Sequence, residues 1–419
     1  MTSKVPATVC TAPWMHFAVG SHPDGFITMP CCRFRLGDDS RWNANKFENP
    51  AFATSKLGYL EQIRQRMLAG ERLAECDKCW REERDRGYSM RHTMNKRMSL
   101  NEIEDKTKFS LRYLEVFFSN LCNLSCRMCS ITDSSQWANL HNNAFLPAGI
   151  IDDQIVPKHF LDSDGRAKTQ AKPFDPSLLQ NIDLSNLIEV KILGGEPMMS
   201  PDHLMFLDRL MSQSKDPSKI KLVYHTNGTK RPPEKVVEYW KQMDEIEIVF
   251  SIDGYDSVNN YQRIGSDWQT IQDNIKWYAS LDINFHMRIH TVLSILTVWS
   301  VDKLCEWAQK DFIKFLTEEG SHQGLFDLTG KVVTFDFVQR PNFLDITIMP
   351  DKAKNKCIKK IKSAKYLTDD MKQFIIRYIK SSSCNNDLWL DFWKKMTAID
   401  NYTKQSLQNT VPELEEFRP

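Results

Sequence analysis

Short apolar runs alternate with longer amphipathic segments between residues 111 and 340, and this alternation constrains the fold more than any other feature. Six runs have the length and the Val, Ile, Leu and Phe content of buried strands: Leu111–Phe118, Ile188–Leu193, Ile220–His225, Ile246–Ile252, Asn284–Leu293 and Val332–Val338. Four helices are predicted between the later runs: His203–Ser212, Glu234–Met243, Trp268–Ser280 and Val301–Leu316. Strands joined by helical crossovers pair in parallel. The sequence therefore predicts an α/β fold with a parallel sheet, open or partly closed into a barrel.

The segments that flank this region lack the alternation of predicted strands and helices. Residues 1 to about 100 look irregular apart from one helix, in which Leu57, Leu60, Ile63, Met67 and Leu68 recur at helical spacing. Residues 140–185 are polar and rich in turn residues, which predicts an insertion that caps the sheet, and residues 351–419 look mainly helical. We expect three parts with these bounds: 1–105, 106–345 and 346–419.

Charge and hydropathy exclude some classes of partner. The chain of 419 residues has 55 Lys and Arg against 54 Asp and Glu, so nothing in its charge indicates nucleic acid or an anionic membrane. It has no apolar run of eighteen residues, and its first residues lack the apolar core of a signal peptide. A cytoplasmic location without a membrane partner is the resulting expectation.

The eleven cysteines are unevenly distributed. Five precede residue 80, and three lie within eight residues of one another, at Cys122, Cys126 and Cys129. Disulfides are rare in a reducing compartment. Two separate groups therefore indicate ligation of a metal or a cluster rather than packing.

The sharpest motif is Cys122-Asn-Leu-Ser-Cys126-Arg-Met-Cys129, directly after the first predicted strand. Three thiolates so close in sequence converge on one soft metal centre if the chain wraps around it. A cubane of four irons would then keep one open iron, which is what chemistry at the metal requires. A zinc site completed by His141, or three reduced thiols, are the alternatives.

Three further motifs follow later strands. Gly194-Gly195-Glu196-Pro197 ends the second predicted strand, Asn227 follows the third, and the segment from Ser251 to Asp253 follows the fourth; Arg263 lies twelve residues beyond Ser251. Taken singly, each motif has an ordinary structural interpretation: a tight turn for the glycine pair, a strand-end cap for Ser251 and a surface charge for Arg263. Together they lie at the carboxyl ends of successive strands, where barrel enzymes place their chemistry.

In this order, the motifs resemble those of the radical S-adenosylmethionine (radical SAM) superfamily, and the resemblance implies a partial (β/α)6 barrel. It implies a [4Fe-4S] cluster on Cys122, Cys126 and Cys129, whose open iron binds the amino and carboxylate groups of S-adenosylmethionine (SAM). Met128 stands where the family usually has an aromatic residue near the adenine, and a thioether also packs on a ring.

The other motifs acquire roles through the same resemblance. The backbone of Gly194, Gly195, Glu196 and Pro197 is expected to meet the amino group of SAM, and Ser251 and Arg263 its ribose and carboxylate. Asn227 and Asp253 complete the expected cofactor-binding set.

The N-terminal cysteines predict a second centre. Cys76 and Cys79 have a common metal-ligand spacing, and Cys10 with Cys31 or Cys32 brings the set to four. Structural zinc is one interpretation. The other is an auxiliary [4Fe-4S] cluster, because the block resembles the twitch and SPASM modules of radical SAM enzymes, although those commonly follow the barrel. We assign Cys10, Cys31, Cys76 and Cys79 as ligands, while spacing leaves Cys31 and Cys32 nearly equivalent.

The resemblance implies an oxidoreductase. SAM is cleaved reductively, and the resulting 5′-deoxyadenosyl radical takes a hydrogen atom from an unactivated C–H bond, with net oxidation of a peptide as the expected outcome. Modification of a small molecule such as a sugar or nucleotide is an alternative, and so is a non-catalytic iron–sulfur or zinc scaffold. An external one-electron donor such as flavodoxin or ferredoxin is expected. The sequence names neither the substrate nor a catalytic side chain.

Overall fold

A computed structural model describes residues 5–22, 25–34, 59–103, 106, 108–168, 174, 183–318 and 332–419. The chain divides into two compact units. The first unit comprises Met1–Ser119, Lys172–Tyr224 and Glu234–Glu245, and the second comprises Asn120–Ala171, His225–Pro233 and Ile246–Pro419.

The strands are β1 His16–His22, β2 Gly25–Met29, β3 Tyr113–Phe117, β4 Glu189–Leu193, β5 Lys221–Thr226, β6 Ile246–Ser251, β7 Phe285–Leu293 and β8 Val333–Phe337. The helices are α1 Ala12–Met15, α2 Tyr59–Leu68, α3 Asp77–Arg86, α4 Met90–Arg97, α5 Trp137–Leu140, α6 Asp202–Gln213, α7 Glu234–Trp240, α8 Ser257–Gln262, α9 Trp268–Ser280, α10 Val301–Trp307, α11 Ile313–Glu318, α12 Asp351–Lys362, α13 Asp369–Ile379, α14 Asn386–Thr403 and α15 Leu407–Thr410. The strand order is β2-β1-β3-β4-β5 in the first unit and β6-β7-β8 in the second.

In the first unit, β1 forms an antiparallel hairpin with β2 and pairs in parallel with β3. The strands β3, β4 and β5 continue the parallel pairing, with Glu115 opposite Lys191. A separate apolar core forms under the N-terminal helices, where Trp14, Ile63 and Met67 are buried together with Cys10 and Cys31. This core places the N-terminal cysteines among packed side chains.

In the second unit, β6, β7 and β8 are parallel neighbours. Along β7, buried residues such as Met287 and Ile289 alternate with half-buried ones such as Arg288 and His290. The alternation gives the strand one apolar face and one polar face. The C-terminal helices α12 to α14 begin at Asp351, and α14 buries an apolar stripe that includes Trp389, Phe392 and Trp393.

The predicted α/β class, the parallel sheet and the helical C-terminal segment are confirmed. All six predicted strands are present, with bounds that move by no more than two residues. The helix predicted over Val301–Leu316 is interrupted by a π-helical turn at Ala308–Phe312. Leu57, the first member of the predicted N-terminal helix, lies outside the described residues. The division into three parts at residues 105 and 345 stays a prediction.

The N-terminal region differs from its expected irregularity. It contributes β1 as a seventh parallel strand, together with the β2 hairpin and helices α3 and α4. The expectation of one helix in an otherwise irregular segment was wrong, because β1 contains Gly20 and lies between polar and turn residues, and its strand character comes from pairing with β3, far along the chain. In the described parts of the chain, no helix has both the length and the apolar content needed to cross a membrane.

Candidate metal centres

The loop after β3 brings three predicted ligands into one apolar cluster. Cys122 and Cys126 are buried together with Leu124, and Met128 and Cys129 pack against them half-buried. The loop backbone is held by donation from Ser125 N–H to the Ile264 carbonyl, at 3.0 Å. The structure thus places Cys122, Cys126, Cys129 and Met128 in one loop of the second unit.

Donors from the protein surround two of these sulfurs. The Leu124 backbone N–H donates to Cys122 Sγ at 3.4 Å, and the Asn227 side-chain amide lies 3.9 Å from the same sulfur. Arg263 Nη1 lies 3.8 Å from Cys126 Sγ. Hydrogen bonds and positive charge favour the thiolate, which is the form that binds metals.

Cys126 and Cys129 share a hydrogen bond that separates their acidities. Donation from the Cys129 thiol lowers the pKa of Cys126, against the effect of burial, and the Arg263 guanidinium acts in the same direction. The same hydrogen bond, together with burial, raises the pKa of Cys129 well above its ordinary value. Of these two thiols, Cys126 is therefore the one whose ionised form the surrounding protein favours.

Asp253 holds Arg263 in place. Arg263 Nε lies 2.7 Å from Asp253 Oδ2, and Asp253 Oδ1 accepts the Val292 backbone N–H at 2.8 Å. Burial by itself would lower the pKa of Arg263. The carboxylate of Asp253 more than offsets this effect, so the pKa lies above its ordinary value and the guanidinium remains charged. Asp253 therefore orients Arg263 through this ion pair, and Nη1 of Arg263 lies beside Cys126 Sγ.

Asn227 and Ser251 lie at the ends of their strands. Asn227 Oδ1 accepts hydrogen bonds from the Thr229 N–H at 2.9 Å and from its hydroxyl at 2.6 Å, and the Asn227 amide donates to Asn123 at 3.1 Å. These bonds join the Asn227 turn to the cysteine loop. Ser251 is the last residue of β6, half-buried and paired with His290 in register.

The Gly194–Pro197 turn lies in the first unit. Gly194 has φ +146°, and a Cβ there would lie 2.9 Å from the Ser119 carbonyl oxygen. The Gly195 N–H donates to the same oxygen at 2.7 Å. Glu196 is buried and accepts the Met198 N–H at 3.1 Å, and Pro197 begins the turn Pro197–Met199. The close approach of two backbones requires glycine at position 194.

Four N-terminal cysteines line one cavity of the first unit. Its walls include Cys10, Cys31, Cys76 and Cys79 together with Trp80 and Arg91. As far as the described ranges extend, no three His, Cys, Asp or Glu side chains are arranged to hold a single metal ion. The cavity nevertheless collects every N-terminal cysteine that we assigned as a ligand.

The pKa values of these four thiols differ from their ordinary values. Burial raises the pKa of Cys10 and of Cys76 to about 12, and that of Cys31 well above its ordinary value, with the neighbouring cysteines adding to each shift. Burial also raises the pKa of Cys79. The backbone N–H of Ala12 donates to Cys10 and that of Arg91 to Cys79, and each hydrogen bond opposes the rise in pKa. Burial thus keeps these groups as neutral thiols until a metal ion replaces their protons, and a set of four cysteines fits either an iron–sulfur cluster or structural zinc.

Cys31 and Cys32 face different surroundings. Cys31 lines the cavity, whereas Cys32 bonds to the buried carboxylate of Glu115 on β3. Burial and this carboxylate raise the pKa of Cys32 to about 11. The turn is also tied to β1, because His16 Nδ1 donates to the Pro30 carbonyl at 2.8 Å. The geometry therefore favours Cys31 as the member of the cysteine set.

Sequence reasoning did not single out Arg127 or Glu115. Arg127 stands between two predicted ligands, and its side chain is fully buried. Its partners are distant in sequence, so the only available signal was a charged residue inside an apolar cysteine loop. Glu115 gave a similar signal as an acidic residue within a predicted strand.

Residues 116–308 match the family model described as the radical SAM superfamily. No curated protein matches the chain. Among solved structures, SuiB from Streptococcus suis bound to SAM is 17% identical with a TM-score of 0.32, and the match covers 60% of this chain and 43% of that one. The enzyme anSMEcpe with bound SAM and a peptide is 15% identical with a TM-score of 0.34, and the match covers 60% and 59% of the two chains. This chain thus spans about half the length of these structures.

Proposed function

We propose that this chain is a radical SAM enzyme, which the match over residues 116–308 supports, and that it binds a [4Fe-4S] cluster through Cys122, Cys126 and Cys129. The observation that carries the proposal is the pairing of Cys126 with Arg263, at 3.8 Å, inside an apolar loop that holds all three thiols. Three ligands leave one of four irons open. The open iron would be the site for the amino and carboxylate groups of SAM.

The residues around the loop position SAM. Arg263 is buried and charged, so it can pair with the carboxylate of SAM. Ser251 takes a ribose hydroxyl, the backbone of Gly194 and Gly195 meets the amino group, and Asn227 braces the cysteine loop through Asn123. Met128 packs near the adenine, whereas Asp253 serves as the positioning partner of Arg263.

We further propose that Cys10, Cys31, Cys76 and Cys79 hold an auxiliary [4Fe-4S] cluster. Four cysteines fill every iron, which leaves no site for SAM but allows electron transfer. Cys122, Cys126 and Cys129 would hold the group that supplies one electron for the reductive cleavage of SAM, and the four N-terminal cysteines would hold the group that accepts one electron from the substrate. The substrate then loses one hydrogen atom, one electron and one proton, which is a net oxidation.

The substrate class proposed is a peptide, with a flavodoxin or ferredoxin as electron donor. This part rests on the resemblance of the N-terminal cysteines to modules found in peptide-modifying enzymes. The same resemblance extends to enzymes that oxidise small molecules. Substrates deuterated at candidate C–H positions separate the two classes, because deuterium appears in 5′-deoxyadenosine only when the labelled molecule is the substrate.

The first test uses anaerobically reconstituted protein, SAM and a strong reductant. We expect slow formation of 5′-deoxyadenosine in the wild type, and none when Cys122, Cys126 and Cys129 are all replaced by Ala. Cys384→Ala is the matched control, because Cys384 lies in the C-terminal segment, is not one of the proposed ligands, and its thiol donates to Asn386 Oδ1 at 3.2 Å. No 5′-deoxyadenosine from the reduced wild type would favour the scaffold alternative.

The second test replaces Cys76 and Cys79 by Ala. If the auxiliary centre accepts the electron, SAM cleavage and hydrogen abstraction should continue while oxidised product disappears. Full product formation in this variant would refute the electron-acceptor role. Metal analysis of the anaerobic wild type identifies the bound group: about eight irons per chain fit two four-iron clusters, whereas stoichiometric zinc would contradict the auxiliary cluster.

A further inference from the structure

Arg127 is a fully buried cation inside the cysteine loop. Its side chain has 0% exposure, and it stands directly after Cys126 in the sequence and two residues before Cys129. A buried guanidinium is costly unless it is paired and its N–H groups find acceptors. The partners of Arg127 therefore determine where this part of the loop can lie.

Those partners come from two distant parts of the second unit. Arg127 Nη2 donates to Asp400 Oδ1 at 2.7 Å and to Gln405 Oε1 at 3.0 Å, and Nε donates to the Tyr261 carbonyl at 2.8 Å. The guanidinium also lies 3.7 Å from the centroid of the Tyr261 ring. The cysteine loop is thereby joined both to α8 and to the C-terminal helix α14.

Asp400 organises this arrangement. It lies on α14, and its Oδ1 accepts the Tyr261 hydroxyl at 2.8 Å as well as Arg127. Its Oδ2 accepts the Leu407 backbone N–H at 2.8 Å, which fixes the start of α15. One carboxylate thus joins the loop, the Tyr261 ring and the turn that follows α14.

The backbone beside the sulfurs is fixed as well. Arg127 N–H donates to the Gln262 carbonyl at 2.8 Å, and Trp137 Nε1 donates to the Cys126 carbonyl at 2.9 Å. With its side chain anchored at the other end, Arg127 cannot rotate without moving the peptides on both sides. The separation of Cys126 and Cys129 is therefore set in part by a residue 273 positions away from Arg127.

We infer that Asp400 is a positioning residue for the cysteine loop: through Arg127 it holds Cys126 and Cys129 in the geometry that binds the first cluster. The inference rests on the proposed ligand assignment. Its consequence is that the C-terminal segment is part of the machinery for cluster binding, although it contributes no ligand. Residues that orient metal ligands through hydrogen bonds affect metal affinity by about 10- to 100-fold.

The test compares Asp400→Asn with Asp391→Asn in full-length, anaerobically reconstituted protein. Asp391 lies on the same helix and pairs with Lys395 at 2.5 Å, but Lys395 keeps Asp152 at 2.5 Å when Asp391 is neutralised. The first cluster is followed by the change that SAM causes in its electron paramagnetic resonance spectrum. Its release to an iron chelator is timed in parallel with that of the auxiliary iron.

We expect Asp400→Asn to lose the SAM-dependent spectral change and to release the iron of the first cluster at least tenfold faster, with the auxiliary iron unchanged. Asp400→Glu should restore most of the signal, and Asp391→Asn should behave like the wild type. Equal release rates in Asp400→Asn and wild type would overturn the inference. So would parallel loss of both clusters, because that indicates a merely structural role.

A misfolded Asp400→Asn variant and a wild type without the SAM-dependent spectral change are the two remaining outcomes. If Asp400→Asn does not fold, Tyr261→Phe decides, since it removes one hydrogen bond to Asp400 and should accelerate release of the first cluster alone; an unchanged rate refutes the inference. If the wild type shows no SAM-dependent spectral change, the ligand assignment itself has failed, and the positioning inference fails with it.

Discussion

Arg263 Nε lies 2.7 Å from Asp253 Oδ2, while Nη1 of the same guanidinium lies 3.8 Å from Cys126 Sγ. One buried cation therefore joins a carboxylate that orients it to a thiol of the proposed cluster site. The pair explains how an arginine far from the cysteines in sequence can lie beside the cysteine loop. Removal of the Arg263 side chain should therefore affect the binding of SAM first.

Arg263→Ala should weaken SAM binding by about 10- to 100-fold, because a hydrogen bond to a charged group contributes about 1.5–3 kcal/mol. Equilibrium binding to the reconstituted protein measures this effect. Asp253→Asn should produce a smaller loss, since the charge of Arg263 survives but its orientation is weakened. Arg231→Ala is the control, because Arg231 bonds to Asn274 and packs on Trp277. A wild-type affinity in Arg263→Ala would contradict the proposed carboxylate contact.

Cys31→Ser and Cys32→Ser should differ in iron content. Cys31 lines the cavity with the other three cysteines, so its replacement should remove about half of the iron, the share of one of two four-iron clusters. Cys32→Ser keeps a donor for Glu115 and should retain all the iron. Iron analysis after anaerobic reconstitution measures both variants. The reverse pattern would reassign the ligand to Cys32.

Gly194→Ala should be more harmful than Gly149→Ala. Both glycines have positive φ, but a Cβ at Gly149 meets nothing within 4 Å, whereas at Gly194 it would lie 2.9 Å from the Ser119 carbonyl oxygen. We expect Gly149→Ala to cost about 1 kcal/mol in unfolding free energy from strain alone, and Gly194→Ala clearly more, with weaker SAM binding. Denaturant unfolding and SAM titration are the measurements. Equal effects in the two variants would show that the contact with Ser119 has no influence.

Acid should destabilise the first unit through His203. Burial lowers the pKa of His203 to about 3, from an ordinary value of 6.5, and its Nε2 lies 2.8 Å from the Tyr224 hydroxyl. Since the unfolded chain binds the proton more readily, stability is complete above pH 6.5 and falls as the pH drops towards 3. Between pH 7 and 5 the loss should be about 2 kcal/mol.

His203→Gln supplies the comparison for this pH effect. Glutamine does not titrate, so the variant should lose less stability than the wild type over the same pH range, whatever its stability at pH 7. Urea unfolding at pH 7 and pH 5 measures the difference. Identical pH slopes in the two proteins would contradict the assignment to His203.

The strands and helices from residue 111 onward were predictable because their signals are local. A buried strand such as β6 is recognised by its own apolar residues, and α9 was predicted with the bounds that it has, Trp268–Ser280. The order of cysteine loop, glycine pair and arginine was readable for the same reason. β1 was missed, because a strand that contains Gly20 carries a weak local signal and acquires its role by pairing with β3.

The sequence by itself determined the α/β class, the position of the cysteine loop after β3 and the residues from which both candidate centres are drawn. Only the tertiary structure decided that Cys31 faces the cavity while Cys32 faces Glu115, since spacing cannot distinguish adjacent residues that point in different directions. It also decided that Arg127 meets Asp400, 273 positions along the chain. Burying a charge requires a partner in space, and the position of that partner in the sequence leaves no local pattern.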